Sequence, residues 1–345
     1  MIKKFRSQSP LRLGIAGGGS DVSPYSDIHG GKIVNMTIDM YTYCTIELLD
    51  TNYVELQALD LKLTEKHKIE KLEINGKLKL HKAIYNKICS FFLNNNFIGV
   101  KILTYSDAPP GSGLGSSSSM VVAILSAFKK ALKLPLGSYD LAHLAFEIER
   151  IDCEETGGKQ DQYAATFGGI NFMEFYCNDR VIVNPLEISE ETRLELQSHI
   201  LLYFTNISRE SKNIIKNQIE TARSNKNEDS SLISMHKIKE LAIKTKEYLL
   251  NGDILNISIA LKESWIEKKK LSSNISNQII EDATDVAFQN GANSVKVTGA
   301  GGGGFIMIMS DPNYHPILKY KLNKLGGYTR KIQITNTGSQ AWKVE

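Results

Sequence analysis

Apolar residues along this chain fall into two periods, and the change from one to the other divides it into elements. Through the first hundred residues the pattern is that of strands. Leu11–Ala16, Gly31–Asp39 and Tyr41–Leu49 are rich in β-branched and aromatic residues. Leu80–Leu93 changes to helical spacing, and Gly99–Tyr105 returns to a strand. Met120–Leu132 is apolar almost all round, which predicts a buried helix. A second helix is expected from about residue 138 to 153, then a strand over Ile170–Phe175. A domain boundary is expected within 180–195, giving units 1–185 and 186–345. Beyond it the pattern predicts a strand at 199–205 and long Lys/Glu-rich helical stretches over about 211–271, read as solvated faces. A helix (275–290), two strands (294–298 and 305–309), a helix (313–325) and a strand (328–335) complete the chain. No solenoid-period repeat is present. Strands and helices mixed without strict βαβ alternation predict an α+β fold rather than a doubly wound sheet.

Composition narrows the function more than the fold. At 345 residues the chain can form two domains sharing one cleft. It is 42% apolar and 23% charged, as expected of a soluble globular enzyme. Lys plus Arg exceed Asp plus Glu by 41 to 38, a net +3 that argues against nucleic acid or a membrane surface as partner. Small anionic metabolites can still meet local basic groups. No apolar run approaches the ~20 residues that span a bilayer. The first residues, Met-Ile-Lys-Lys-Phe-Arg, lack a signal-peptide core, so a cytoplasmic location is expected. Cys44, Cys89, Cys153 and Cys177 show no C-x-x-C spacing and read as reduced thiols. The seven histidines form no zinc motif, and the oligomeric state stays open.

The candidate chemistry lies in three glycine-rich stretches. The central one is Pro109-Pro110-Gly111-Ser112-Gly113-Leu114-Gly115-Ser116-Ser117-Ser118-Ser119, directly before the buried helix. Three glycines in five residues leave backbone N–H groups uncovered, and the serines can cap the helix. Free amides and a helix dipole make an anion site. A flexible linker shares this composition but is not normally followed by a buried helix. No Gly-Lys-Ser/Thr follows, so the loop is not a Walker A motif.

The second stretch, Thr298-Gly-Ala-Gly-Gly-Gly-Gly304, holds a formal G-x-G-x-x-G. It fails as a dinucleotide fingerprint because a strand follows it rather than a helix. Five glycines in six residues exceed what a hairpin needs, favouring close approach to a bound group or to the first loop. The third is Ser9-Pro-Leu-Arg-Leu-Gly-Ile-Ala-Gly-Gly-Gly-Ser-Asp21, a strand and turn.

Together these stretches resemble the three signatures of the superfamily named for galactokinase, homoserine kinase, mevalonate kinase and phosphomevalonate kinase. They occur in order and span nearly the full length. The resemblance implies a ribosomal protein S5 domain 2-like N-terminal domain and a ferredoxin-like C-terminal domain. It implies ATP on the central loop, at Pro110, Gly111, Ser112, Gly113, Leu114, Gly115, Ser116, Ser117 and Ser118. Substrate contacts are implied at Arg12, Gly18, Gly19, Ser20, Asp21, Asp161, Gly301 and Gly302. A galactokinase carries a Gly-Glu-His turn where this chain has Gly17-Gly18-Gly19, which leaves room for a bulkier sugar.

Asp161, in Gly157-Gly-Lys-Gln-Asp-Gln-Tyr163, is by itself an ordinary turn former. Through the resemblance it falls on the catalytic aspartate, with Arg12 or Lys159 offsetting charge. Lys159 sits two residues away and could keep Asp161 ionised or meet phosphate. Ser117 and Glu149 fall on the Mg²⁺ ligands, a small set of hard oxygens completed by water and ATP. Glu147 lies on another helical face.

The first-signature sequence, with Gly157–Asn171, narrows the resemblance to kinases that phosphorylate the anomeric C1 hydroxyl of D-glycero-D-manno-heptose 7-phosphate, for nucleotide-activated heptose and surface polysaccharide. Arg209 and Lys212, at a strand end running into a helix, are the expected readers of the remote phosphate. Another sugar kinase of the fold, such as an L-fucose kinase, or a non-catalytic sugar- or nucleotide-binding regulator are the alternatives. A regulator would be expected to lack Asp161 or the serines.

Overall fold

A computed structural model describes residues 3–207 and 230–344. Its elements build two sheets. The first runs in the order β12-β1-β2-β5-β3-β4, with β6 and β7 added to the other half of β2. Here β1 is Lys3–Ala16, β2 Gly31–Leu48, β3 Tyr53–Ala58, β4 Leu63–Lys68, β5 Val100–Ser106, β6 Ile170–Phe175, β7 Val181–Pro185 and β12 Gln340–Val344. β2 is the spine: residues 42–48 pair with β5, residues 31–36 with β6, and both halves with β1.

Sequence reading split β2 into two strands around Met40 and shortened β1 to its last six residues. The structure keeps both continuous, and a register shift between Pro10 and Leu11 absorbs the irregularity opposite Met40. The β3–β4 hairpin, paired from Tyr53–Lys68 to Ala58–Leu63, was not expected at all.

The second sheet has the antiparallel order β11-β8-β10-β9, where β8 is Ile200–Phe204, β9 Ala292–Val297, β10 Phe305–Ser310 and β11 Tyr328–Lys331. In chain order this places the fourth strand beside the first, the third next and the second at the edge, which is the ferredoxin-like arrangement. Its helices are α7 (Ser230–Leu250), α8 (Ile254–Lys269), α9 (Gln278–Gln289) and α10 (His315–Asn323). The fold is α+β, as the mixed patterning predicts.

A cut at residue 185 separates the two sheets except for β12, which returns to pair with the outer edge of β1. Leu11, Leu13 and Met36 of the first sheet share one apolar core with Leu202, Phe305 and Met307 of the second and Leu261 of α8. Lys296 of β9 ties the sheets further, its Nζ donating to the Gly14 and Ile15 carbonyls at 3.1 and 2.8 Å.

Over the first sheet lie α2 (Lys79–Lys87), α3 (Ser116–Leu132) and α4 (Ser138–Glu147). α3 buries Val121, Val122, Ile124, Leu125 and Phe128 completely, as its apolar sequence requires. α4 ends at Glu147, and a single π-type turn over Ile148–Asp152 carries Glu149 inward. Arg209 and Lys212 lie outside the described residues. The remaining helices are α1 (Tyr25–His29), α5 (Gln160–Phe167) and α6 (Glu190–His199).

Candidate active site

The three glycine-rich stretches converge on one cavity of about 590 Å³, lined by Arg12, Asp21, Glu149, Asp161 and the loop preceding α3. That loop is built to leave its amides free. α3 begins immediately after Gly115, and no side chain caps its first turn. The expected serine caps are absent because the N-cap position falls on Gly115 and the serines lie inside the helix. Ser117 and Ser118 donate to Glu149, and Ser119 donates to the Ser9 carbonyl at 2.9 Å. Pro110, Gly111, Gly113, Gly115, Ser116, Ser117 and Ser118 face the cavity. Ser112 and Leu114 do not: both are fully buried supports, and the Ser112 carbonyl accepts the Phe305 amide.

Across the cavity Arg12 grips Asp161 with two bonds, Nε to Oδ1 at 2.7 Å and Nη2 to Oδ2 at 2.9 Å. Its third arm donates to the Gly113 carbonyl at 2.6 Å. One buried guanidinium therefore fixes the acid and the loop together, a planar fork that lysine cannot reproduce. Asp161 was expected on a loop, but it occupies the first turn of α5, where the helix dipole favours its negative charge.

This helix also explains a correction. Lys159 lies two positions from Asp161, and residues so spaced project from different sides of a helical turn. Its ammonium turns away to Asp179 (2.6 Å) and the face of Phe146, leaving it off the cavity wall.

Asp21 is buried, and its carboxylate accepts the Gln160 backbone amide at 3.0 Å. Burial raises its pKa above the ordinary carboxylate value; the Gln160 amide opposes the shift and the Asp161 charge reinforces it. Gly158 makes this contact possible, because a Cβ there would fall 1.9 Å from Asp21 Oδ2. Gly18 and Gly19 face the cavity beside Asp21. Ser20 does not; its hydroxyl bonds the Lys32 backbone twice and closes the turn.

Glu149 collects the hard oxygens. Its Oε1 accepts from Ser117 Oγ at 2.7 Å, and its Oε2 from Ser118 Oγ and Gln162 Nε2, both at 2.6 Å. Arg150 stands 3.3 Å from Oε1. Among the described residues no group of three His, Cys, Asp or Glu side chains is placed to hold a metal. A Mg²⁺ site does not require one, since this ion keeps several waters and takes one or two protein oxygens plus substrate phosphate. A buried carboxylate touching a serine hydroxyl beside an anion-binding loop fits that donor set.

The third stretch serves the first. Gly299 packs against Gly113, Gly304 against the Ser112 carbonyl, and Thr298 Oγ1 donates to that same carbonyl at 3.2 Å. Gly299 and Ala300 face the cavity. Gly301 and Gly302 instead back onto Ile275, whose carbonyl accepts the Gly302 amide at 2.8 Å. They are not in the cavity wall.

Several cavity residues escaped sequence reading, Lys79, Arg150 and Lys268 among them. Lys268, near the end of α8, is 4% exposed and donates to the Gly299 carbonyl. Burial brings its ammonium pKa down to about 8, with Arg12 adding to the shift and Asp21 and Asp161 opposing it. The signal was present in spacing: Ile257, Leu261, Ser264, Trp265 and Lys268 share one buried helical face.

A cradle of free amides at a helix start, facing a carboxylate clamped by arginine, is the equipment of phosphoryl transfer. The sequence matches the GHMP kinase N-terminal domain over residues 79–169 and the GHMP kinase C-terminal domain over residues 245–326. The chain belongs to the GHMP kinases, ATP-dependent phosphotransferases. It is 43% identical over 344 residues to a D-glycero-alpha-D-manno-heptose 7-phosphate kinase of Campylobacter jejuni subsp. jejuni, covering 99% of this chain and 100% of that one. Among solved structures it is similar to a D-glycero-D-manno-heptose 1-phosphate kinase from Bacteroides thetaiotaomicron, with TM-score 0.83, 44% identity and 99% of each chain covered. A Lactococcus lactis galactokinase complexed with galactose, at 17% identity and TM-score 0.78 over 98% of this chain and 95% of that one, shares the fold. No helix among the described residues is long and apolar enough to cross a membrane.

Proposed function

We propose that this kinase transfers the γ-phosphoryl group of ATP to the anomeric C1 hydroxyl of D-glycero-D-manno-heptose 7-phosphate, giving the 1,7-bisphosphate for nucleotide-activated heptose and surface polysaccharide. The observation that carries the reading is the Arg12 fork, which presents Asp161 to the cavity beside the amide-lined loop. The cavity-facing amides of Gly111, Gly113, Gly115, Ser116 and Ser117, at the start of α3, hold the ATP phosphates. Asp161 accepts a hydrogen bond from the sugar hydroxyl and takes its proton as the C1 oxygen bonds to phosphorus and the bond from phosphorus to the ADP oxygen breaks. Arg12 holds the carboxylate in place and offsets charge. Asp21 and the Gly18–Gly19 turn receive the sugar. Ser117 and Glu149 would hold Mg²⁺, which neutralises charge on the phosphate oxygens.

The reading is tested by ADP release with ATP and Mg²⁺ over a panel of free and phosphorylated sugars, with NMR assignment of the product. Heptose 7-phosphate is expected to give the highest kcat/KM and a product phosphorylated at C1. Preference for L-fucose or another unphosphorylated sugar would move the assignment to a free-sugar kinase, and no turnover on any sugar would favour a binding protein.

The metal assignment has its own test. Ser117→Ala and Glu149→Gln are each expected to raise the Mg²⁺ concentration for half-maximal rate several-fold, because the first removes a protein oxygen donor and the second removes the negative charge of another. Titrations of both variants that superpose on wild type would mean that nucleotide and water alone hold the ion.

A further inference from the structure

The cations around the cavity differ in what they face. Arg12 is committed to Asp161, Lys79 is paired with Glu155, and Arg150 stands against Glu149. Lys268 has no carboxylate within ion-pair distance among the described residues; its one hydrogen bond there is to the Gly299 carbonyl. An ammonium this buried costs stability unless a counter-charge reaches it. It projects from α8 against the turn that ends β1, where a Cβ on Gly18 would lie 3.9 Å from its Nζ. In that turn the Gly18 and Gly19 amides have no acceptor among the described residues. Asp21, the acid of the same turn, is directed at the Gln160 amide. A buried ammonium and two unpaired amides on one wall make an anion cradle.

The cradle is built from the turn after β1 and from α8, whereas the amides proposed for ATP belong to the loop before α3; both line one cavity. The reacting oxygen must lie close to both Asp161 and the transferred phosphorus. A substrate with its reacting hydroxyl at one end and a phosphate at the other would span the two.

We infer that Lys268, with the Gly18–Gly19 amides, binds the phosphate that the sugar already carries and so sets the preference for a phosphorylated sugar. This rests on the function proposed above and assigns to α8 the phosphate reading first expected of Arg209 and Lys212. The test compares wild type, Lys268→Met and Lys268→Arg on heptose 7-phosphate and on free heptose, at saturating ATP. Loss of a charge-assisted contact costs about 1.5–3 kcal/mol, a roughly 10- to 100-fold effect.

Lys268→Met is expected to raise KM for heptose 7-phosphate by that factor. The ratio of kcat/KM between phosphorylated and free heptose should fall with it, and KM for ATP should stay within about twofold. Lys268→Arg should recover part of the ratio. A fall in kcat shared equally by both sugars, or a rise in KM for ATP, would instead put Lys268 on the nucleotide phosphates and overturn the inference. Heptose 7-phosphate should also raise the melting temperature of wild type without nucleotide and raise that of Lys268→Met less; equal rises would overturn it even if the variant is catalytically weak. A wild type that treats both sugars alike defeats the proposed function itself, and that outcome is read before any variant is made.

Discussion

Asp161→Asn is expected to lower kcat by at least ~100-fold while ATP binds as in wild type, the scale for removing a positioned acid–base group. The substitution keeps the size and shape of the side chain and removes its charge. Arg12 then loses one of two carboxylate acceptors and faces an amide whose nitrogen cannot accept its hydrogen bond. Without a carboxylate the sugar hydroxyl has no group to take its proton. Because the side chain sits in the first turn of α5 and not in the loop that cradles phosphate, nucleotide affinity should be spared. The measurement is kcat at saturating sugar and ATP, with ATP binding followed separately by calorimetry. A variant that keeps most of the wild-type kcat would remove Asp161 from the mechanism.

A second large effect is expected from Gly113→Ala, on stability as well as turnover. Gly113 has φ of +78°, and an added Cβ would lie 2.6 Å from both the carbonyl and the hydroxyl oxygen of Thr298. The left-handed backbone costs an L-residue about 1–2 kcal/mol, and overpacking typically costs 1–3 kcal/mol more. Together they predict a loss of about 2–5 kcal/mol in denaturant unfolding. Relief by movement of the loop would displace the Gly113 carbonyl from Arg12, so kcat/KM should fall at least ~10-fold as well.

Gly326→Ala separates the two causes. Gly326 has φ of +92° but nothing within 4 Å of the position its Cβ would take, so only the conformational cost of about 1–2 kcal/mol remains. Equal losses in the two variants would show that the contact with Thr298 contributes nothing.

Much of this site could be read from the sequence because glycine marks it. Loops that need bare amides or close backbone contact leave a compositional trace, and all three stretches do meet at the cavity. What remained hidden depended on which way a side chain points. Lys159 and Asp161 are neighbours on paper, but α5 sends them apart. Gly301 and Gly302 have the same composition as Gly299, yet only tertiary packing decides that Ile275 covers the first two. Lys268 was obscured by its neighbours in Glu-Lys-Lys-Lys, which read as a solvated charge run. Lys269 and Lys270 are indeed surface groups paired with Glu281 and Glu267, while the helical period turns Lys268 inward. The unexpected β3–β4 hairpin follows from the same limit: its alternation of half-buried and polar positions becomes strand only against the completed edge of β5.

The pairing of β12 with β1 also has a consequence for how this protein is made. Residues 4–8 meet residues 340–344, so β1 waits for its outer partner until more than 300 further residues have been made. At synthesis rates of about 5–20 residues per second, that edge stays bare for some tens of seconds in the nascent chain. The first sheet therefore closes only once residues 340–344 have emerged, and until then an unpaired strand edge is open to neighbouring chains. Chaperone attention during translation is expected to concentrate there.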